Sequence, residues 1–236
     1  MTVWITISRV GRHLSMVGGA LVLLTSESPQ TGRVSGQLTL LERGGTAGKD
    51  LTTAVVYLQA IDGAADDDHG TVSTEATITM RGREFMPHMA VVRRGGSVQF
   101  PNADPFSHNV FSNTDPGSFD LGLYRRGATR SATFEQPGVY PIYCNIHARM
   151  VSYVIAVPGR HVTRADDKGA FALEDVPVGT YRLYVWHERA ARLSQELVVT
   201  TAGSTVRLTL DARGYVAGAH LNKFGVPYSS TRSDRY

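Results

Sequence analysis

Short apolar runs separated by turn residues recur between residues 33 and 211, and this pattern limits the possible folds more than any other feature. Between residues 76 and 157 the runs are ATITM, HMAVV, GSVQF, FSHNVFS, SATF, VYPIYC and VSYVIAV. The sequence between these runs does not have the periodicity of an amphipathic helix. Successive short strands predict an all-β protein, and in this segment an antiparallel sandwich or barrel.

Further strand segments flank this region. Residues 33–60 contain two alternating runs joined by the turn-rich connection ERGGTAGKD, which predicts a pair of strands. The residues that share a phase in these two runs are Val34, Leu38 and Leu40, and then Ala54, Val56 and Leu58. Residues 160–211 contain more strands around the turn sequences DDKG and DVPVG. The acidic segment at residues 61–74 is expected to be a solvated linker, with Asp66–Asp68 as its charge.

The composition is that of a globular protein and argues against binding to nucleic acid. Of the 236 residues, 42% are hydrophobic and 19% are charged, which suits one large domain or two modest ones. The 24 Lys and Arg residues exceed the 21 Asp and Glu residues by only three. Because the basic residues are scattered as singles and pairs, we expect no nucleic-acid partner.

The N-terminus has the pattern of an export signal. Arg9 and Arg12 precede the apolar run MVGGALVLL, whose nine residues are too few to span a bilayer but suit the apolar core of a signal peptide. We therefore predict a signal peptide at residues 1–28 and a periplasmic or otherwise exported protein. The alternative is a buried N-terminal segment. No later stretch is apolar enough to predict a membrane span.

The chain contains a single cysteine, Cys144, in the sequence YCNIHARM. One cysteine cannot form an intrachain disulfide, and an unpaired thiol in an exported protein requires an explanation. Metal ligation is one explanation, because His147 and Met150 follow at intervals of three residues. The alternative for each residue alone is structural: a buried cysteine is usually inert, a strand histidine is usually hydrogen bonded, and a methionine usually packs.

A second histidine is expected to join these three residues. Cys144 ends a predicted strand, and the next strand begins after Met150, so His147 and Met150 lie on the connecting loop. His108, in PFSHNVFS, has the phase of Phe106 and Val110, which predicts an inward-facing residue at a strand end. Two imidazoles, a thiolate and a thioether favour copper, whereas zinc usually recruits further Cys, His or carboxylate ligands.

Residues 76–157 resemble the cupredoxins, the family of plastocyanin, pseudoazurin and amicyanin. The resemblance lies in FMPHMAVVRRGGSVQFPNAD, in SHNVF and in YCNIHARM. It implies a Greek-key β-sandwich that binds one copper ion. His108, Cys144 and His147 would be the equatorial ligands and Met150 the axial ligand. The sequences FDLGLYRRG and CNIH are similar to those of bacterial methylamine-utilisation or plastocyanin-like proteins.

The same resemblance assigns roles to residues around the ligands. Asn109 would brace the two ligand loops from outside the metal site. His147 would be partly exposed and would be the ligand through which electrons leave. The family often has proline after the second histidine, whereas this chain has Ala148, which predicts a less constrained loop.

The remaining strands resemble a second family, the carboxypeptidase regulatory-like, transthyretin-type sandwich. The resemblance lies in TRADDKGAFALEDVPVGTYRLYV together with an opening strand pair like the one at residues 33–60. It implies a smaller sandwich built from residues 33–61 and 158–211, with the cupredoxin domain inserted at residues 75–157. Residues 212–236 would form an extended or disordered tail. The alternative is two consecutive domains, with residues 33–60 extending the cupredoxin.

These observations predict an exported blue-copper protein that carries single electrons between transient redox-partner proteins. The alternatives are a copper storage or delivery module that uses the same ligands, and a sandwich that serves protein interaction without redox turnover. An enzyme is not expected, because the sequence lacks the H-x-H pairs of multicopper oxidases and the G-x-S-x-G of hydrolases. The oligomeric state is left open.

Overall fold

The structure, a computed structural model, describes Met1 and residues 29–61 and 72–228. Apart from Met1, the proposed signal peptide lies outside the described residues, as do Asp66–Asp68. Where the chain is described, regular structure is β strand except for one 3-10 turn at Leu51–Thr53, so the all-β prediction is confirmed. No helix in these residues is long and apolar enough to span a membrane.

The strands are numbered in chain order. They are β1 (Thr31–Leu41), β2 (Val55–Ala60), β3 (Glu75–Thr77), β4 (Thr79–Arg81), β5 (Glu84–Met86), β6 (Met89–Arg93), β7 (Gly96–Pro101), β8 (His108–Ser112), β9 (Phe119–Tyr124), β10 (Thr129–Phe134), β11 (Gly138–Tyr143), β12 (Val151–Val157), β13 (Val162–Arg164), β14 (Ala170–Pro177), β15 (Gly179–His187), β16 (Ala190–Val199) and β17 (Ser204–Asp211).

The first sandwich combines residues 31–60 with residues 162–211. One sheet has the order β14-β1-β17 and the other has the order β13-β2-β15-β16. Alternating residues of β1, β15 and β17 are buried between the sheets in one hydrophobic core. Burial of each large aliphatic side chain contributes about 1.5–3 kcal/mol, so this core is the main source of stability for the sandwich.

The two strands predicted in residues 33–60 exist, but they do not pair with each other. β1 pairs with β14 and β17, whereas β2 lies in the facing sheet between β13 and β15. The arrangement follows from burial, because Leu38 and Val56 both have to face the same core and do so from opposite sheets. Alternation alone predicts which face of a strand is buried, and it does not predict the partner strand.

The second sandwich contains the candidate ligands. Its larger sheet has the order β6-β12-β11-β8-β9 and its smaller sheet the order β10-β7-β3, with β4 and β5 as a two-stranded ribbon. The sandwich is mixed and not purely antiparallel as predicted, because β6 runs parallel to β12 and β3 runs parallel to β7. A tight hairpin cannot join parallel strands, and in the chain β7 to β11 separate β6 from β12, while β4 to β6 separate β3 from β7.

The outer faces of β2 and β12 pack against each other and join the two sandwiches. Val55 and Tyr57 lie in one hydrophobic cluster with Ile155, Val157 and Trp186. For this reason β2 and β12 are buried on both faces, unlike an ordinary sandwich strand with one solvated face. A second link lies beside this cluster, where the imidazole of His88 contacts the carboxylate of Glu188 at 2.6 Å.

The strand pairing has a consequence for the domain boundaries. In the described residues, strands within residues 31–60 pair with strands within residues 162–211, and strands within residues 75–157 pair among themselves. An inserted domain would give this pattern. The boundaries at residues 61, 75, 157 and 211 remain a prediction.

The segment after β17 contains no strand in its described part, but it makes specific contacts. Residues 212–228 pass from the first sandwich back to the second and lie beside the loop between β11 and β12. Within this described part the segment is irregular, with turns at residues 213–214 and 223–225, and hydrogen bonds hold it against the loop that carries His147.

Candidate metal centre

The sheet topology brings the first histidine to the cysteine. His108 is the first residue of β8, and Cys144 directly follows β11, its neighbour in the sheet. The register that pairs Tyr143 with Phe111 places the two residues at the same end of these strands. The side chains of His108 and Cys144, which are 36 residues apart in sequence, are therefore in contact.

Three predicted ligands converge on one buried point. The Nδ1 atom of His108 lies 3.7 Å from the Cys144 sulfur, and the Nδ1 atom of His147 lies 3.5 Å from it. The potential ligand atoms of these residues all lie within 4.8 Å of one another. Cys144 and His108 are fully buried. The arrangement can hold a metal ion between two imidazole nitrogens and a thiolate.

Backbone hydrogen bonds within the loop hold Met150, the fourth predicted ligand, close to the site. Its N–H donates to the carbonyl oxygen of His147 at 3.0 Å, and the N–H of Cys144 donates to the carbonyl oxygen of Met150 at 3.3 Å. The Met150 side chain is buried in the same hydrophobic core as Cys144. The loop is therefore closed on itself, with its two ends held together at the metal-binding end of the sandwich.

Asp104 fixes the protonation state of His108. One carboxylate oxygen of Asp104 lies 2.8 Å from Nε2 of His108. Nε2 therefore carries the proton and donates a hydrogen bond to the carboxylate. Burial lowers the pKa of His108, which keeps the imidazole neutral. Nδ1 then presents its lone pair towards Cys144. Carboxylate–histidine pairs of this kind orient metal ligands in many proteins.

Asp104 is itself held in place by the backbone. Its carboxylate accepts hydrogen bonds from the N–H groups of Gly82 at 2.6 Å and Arg83 at 3.0 Å. Burial acts to raise the pKa of Asp104, but these two bonds and the imidazole of His108 outweigh it and lower the pKa. The carboxylate is therefore ionised and available as an acceptor for His108.

Burial and hydrogen bonding act in opposite directions on the pKa of the Cys144 thiol. Burial raises the pKa of Cys144, and the backbone N–H groups of Ile146, Asn109 and His147 act in the opposite direction. N–H groups aimed at the sulfur stabilise its thiolate form. A metal cation would displace the thiol proton and bind that thiolate.

The chemistry of the donor set fits copper. The site offers one soft sulfur and two imidazole nitrogens, with a buried thioether close by in the loop. Asp104 does not compete as a ligand, because its carboxylate is used by two N–H groups and by the far side of His108. Thiolate and thioether donors with imidazole suit copper, whereas an oxygen-rich set would suit magnesium or calcium.

The expected exposure of His147 is wrong. Only 6% of His147 is accessible, so the residue is buried and not partly exposed as the resemblance implies. The ring of Phe106 lies 5.7 Å from the imidazole, and Nε2 of His220 lies 3.3 Å from the backbone carbonyl oxygen of His147. Neighbouring side chains thus cover the ligand that was expected to pass electrons to the surface.

Asn109 braces the site in a different way from that predicted. Its side-chain nitrogen donates to Asp120 on β9 at 2.5 Å, so the amide ties together β8 and β9. Its contact with the ligand loop is made by the backbone N–H, which approaches the sulfur of Cys144. The side chain of Asn109 therefore fixes the strand that carries His108.

Several residues that contact the ligands or their loop are not predicted from the sequence, among them Asp104, His220, Lys223 and Tyr228. Asp104 could have been found, because it lies four residues before His108 in the turn sequence PNADPF. His220 and Tyr228 lie in a segment without periodicity, and no local signal connects them to Cys144. The neighbouring histidine His88 contacts Glu188 and takes no part in the cluster.

Comparison with known proteins gives partial matches. A family model described as polysaccharide lyase family 4, domain II, matches residues 160–208. This match does not confirm the carboxypeptidase regulatory-like resemblance, which stays a prediction for that sandwich. No curated protein matches the chain.

Solved structures with some likeness to part of this chain include three proteins. A purple cupredoxin from Nitrosopumilus maritimus shares 25% identity over 34% of this chain and 98% of its own, with a TM-score of 0.32. An amicyanin from Paracoccus versutus shares 16% identity over 42% of this chain and 97% of its own, with a TM-score of 0.33.

The third is a copper-containing nitrite reductase from Thermus scotoductus. It shares 24% identity over 42% of this chain, with a TM-score of 0.33, and the match spans only 25% of the reductase. TM-scores this low are too weak to support an assignment of fold or function, which must come from the site itself.

Proposed function

We propose that this protein is an exported type 1 copper protein that carries single electrons between transient redox-partner proteins. The observation that carries the proposal is the convergence of two imidazole Nδ1 atoms on one buried thiol, at 3.7 Å and 3.5 Å. His108, Cys144 and His147 would bind one copper ion equatorially, and Met150 would be the weak axial ligand. The bound copper would supply a one-electron couple between Cu(I) and Cu(II).

The protein's contribution is to hold this ligand set with little freedom to move. Asp104 orients His108, backbone N–H groups stabilise the thiolate of Cys144, and the closed loop holds His147. A ligand set that is held by its surroundings changes little between oxidation states, which favours fast electron transfer. The same burial disfavours ready release of the metal and thus a storage or delivery role.

Copper loading tests the proposal. Protein loaded with one equivalent of Cu(II) should turn intensely blue through thiolate-to-copper charge transfer and should bleach reversibly on reduction. Cys144→Ser should abolish the colour, because a hydroxyl cannot give this transition. A loaded wild-type protein that stays pale, like an ordinary aqueous copper complex, would contradict electron transfer and favour storage or delivery.

A further inference from the structure

The described C-terminal segment touches the ligand loop at four polar atoms. The hydroxyl of Tyr228 donates to the carbonyl oxygen of Cys144 at 2.6 Å, and the N–H of Lys223 donates to the side-chain oxygen of Asn145 at 3.0 Å. The N–H of His220 donates to the carbonyl oxygen of Ala148 at 3.2 Å. Nε2 of His220 also lies 3.3 Å from the carbonyl oxygen of His147.

Aromatic packing strengthens this contact. The imidazole of His220 stacks on the ring of Tyr143, the residue before the ligand Cys144, with ring centres 4.4 Å apart. The ring of Tyr228 packs edge-on against His220 at 5.3 Å. Stacked and edge-to-face ring pairs contribute beyond the area that they bury, so His220 is held on both sides.

The segment also reaches the strand pair that carries the other histidine. The ammonium group of Lys223 lies 2.5 Å from the carboxylate of Asp120 on β9. Asp120 accepts a hydrogen bond from the side chain of Asn109, which follows the ligand His108. One segment therefore contacts both parts of the sandwich that supply ligands.

The ligand loop needs these partners. Backbone carbonyl groups removed from water require hydrogen-bond donors, and residues 145–149 form no strand that would supply them. The segment supplies donors to the carbonyls of Cys144 and Ala148. Ala148 occupies the position at which the sequence predicts a less constrained loop, and the bond from His220 constrains that residue from outside.

We propose that residues 220–228 form a strap that holds the ligand loop in its metal-binding conformation, with His220 and Tyr228 as positioning residues for His147 and Cys144. The inference rests on the proposed copper function. It also gives the first sandwich a role, because β17 ends at Asp211 and delivers the strap to the loop.

Loss of the strap is expected to change the reduction potential and the release rate of bound copper in a definite direction. A loop freed from the strap can relax towards the tetragonal arrangement that Cu(II) prefers. Relaxation stabilises the oxidised state and lowers the reduction potential. Loss of groups that orient ligands from outside typically weakens metal binding 10–100-fold, so copper should leave faster by a comparable factor.

The experiment compares full-length variants. Tyr228→Phe removes one hydroxyl, His220→Ala removes the stacked ring, and the double variant removes both. Val216→Ala is the matched control, since Val216 lies on the same segment with 74% of its surface exposed. The measurements are copper loss to a chelator, the visible spectrum, the reduction potential, and hydrogen exchange at the amides of Ile146, His147 and Met150 in metal-free protein.

We expect the double variant to lose copper roughly 10–100-fold faster, to keep the blue band with a lower potential, and to exchange the three loop amides faster. Val216→Ala should match wild type. Exchange that rises equally across the whole protein would overturn the strap in favour of a general stabilising role. Copper loss and loop exchange equal to those of Val216→Ala would also overturn it. Because exchange is measured without metal, a wild type that binds no copper would contradict the proposed function and leave the strap testable.

Discussion

His187 in the first sandwich and His108 in the second are both fully buried, yet their ring nitrogens meet different partners. Nε2 of His187 lies 3.2 Å from the carbonyl oxygen of Asp50, and its Nδ1 accepts the N–H of Arg189. Both nitrogens of His187 are thus satisfied by the main chain. His108 uses one nitrogen for Asp104 and points the other at a thiol. The difference shows that the partner of the second nitrogen, and not burial, separates a candidate ligand from a structural imidazole.

The two sandwiches also differ in the polar residues that they bury. Among the described residues, the first sandwich buries two polar residues, His161 and His187, whereas the second buries seven in addition to Cys144. The buried polar residues within residues 75–157 are Asn102, Asp104, His108, Asn109, Ser112, His147 and Ser152. Buried polar groups are costly unless they are hydrogen bonded, so their concentration in one sandwich indicates a site maintained for function.

Replacing each buried histidine gives the largest contrast. His108→Ala should abolish the blue absorption of copper-loaded protein, because one ligand is lost. His187→Ala should keep the colour and lower only the stability, by about 1–3 kcal/mol for the partners left unsatisfied. Absorption spectra and denaturant unfolding of the metal-free proteins measure the two effects. Equal loss of colour in both variants would contradict the assignment of His108 as a ligand and His187 as a structural residue.

A smaller contrast is expected between two carboxylates that organise turns. Asp104→Asn removes the carboxylate charge and replaces one of the two accepting oxygens with an NH2 donor, which weakens the orientation of His108, so copper affinity should fall about 10–100-fold. Asp166→Asn is the matched control, because Asp166 accepts the N–H groups of Lys168 and Ala170 in the first sandwich and touches no ligand. Competition with a chelator of known affinity measures both. If the two variants bind copper equally well, Asp104 has no positioning role.

The smallest contrast concerns two methionines buried in one core. Met150→Leu should keep the blue colour and raise the reduction potential, since a weak donor to the more highly charged oxidised state is lost. Met80→Leu, at a fully buried position of the same core, should leave the potential unchanged. Voltammetry distinguishes them. Equal potentials in the two variants would show that Met150 is not the axial ligand.

Alternation and spacing predict the parts of this molecule that depend on local sequence. Leu38 and Val56 are buried as their phase indicates, and Cys144, His147 and His108 converge as their places at strand ends require. The predicted runs do not include β9, although Phe119, Leu121 and Leu123 alternate with Asp120 and Gly122 as in a half-buried strand.

The rest of the site depends on contacts that local sequence does not encode. The exposure of His147 depends on Phe106 and on a segment more than seventy residues away. The contacts of that segment with the loop are made mostly to main-chain carbonyl groups, which any residue provides. No hydrophobic pattern therefore marks His220 or Tyr228 as partners of the loop.

X-ray absorption at the copper edge tests the central claim most directly. The account predicts one short copper–sulfur bond and two copper–imidazole bonds in wild-type protein, with the sulfur contribution lost in Cys144→Ser. A copper site made only of nitrogen and oxygen donors in the wild type would contradict it.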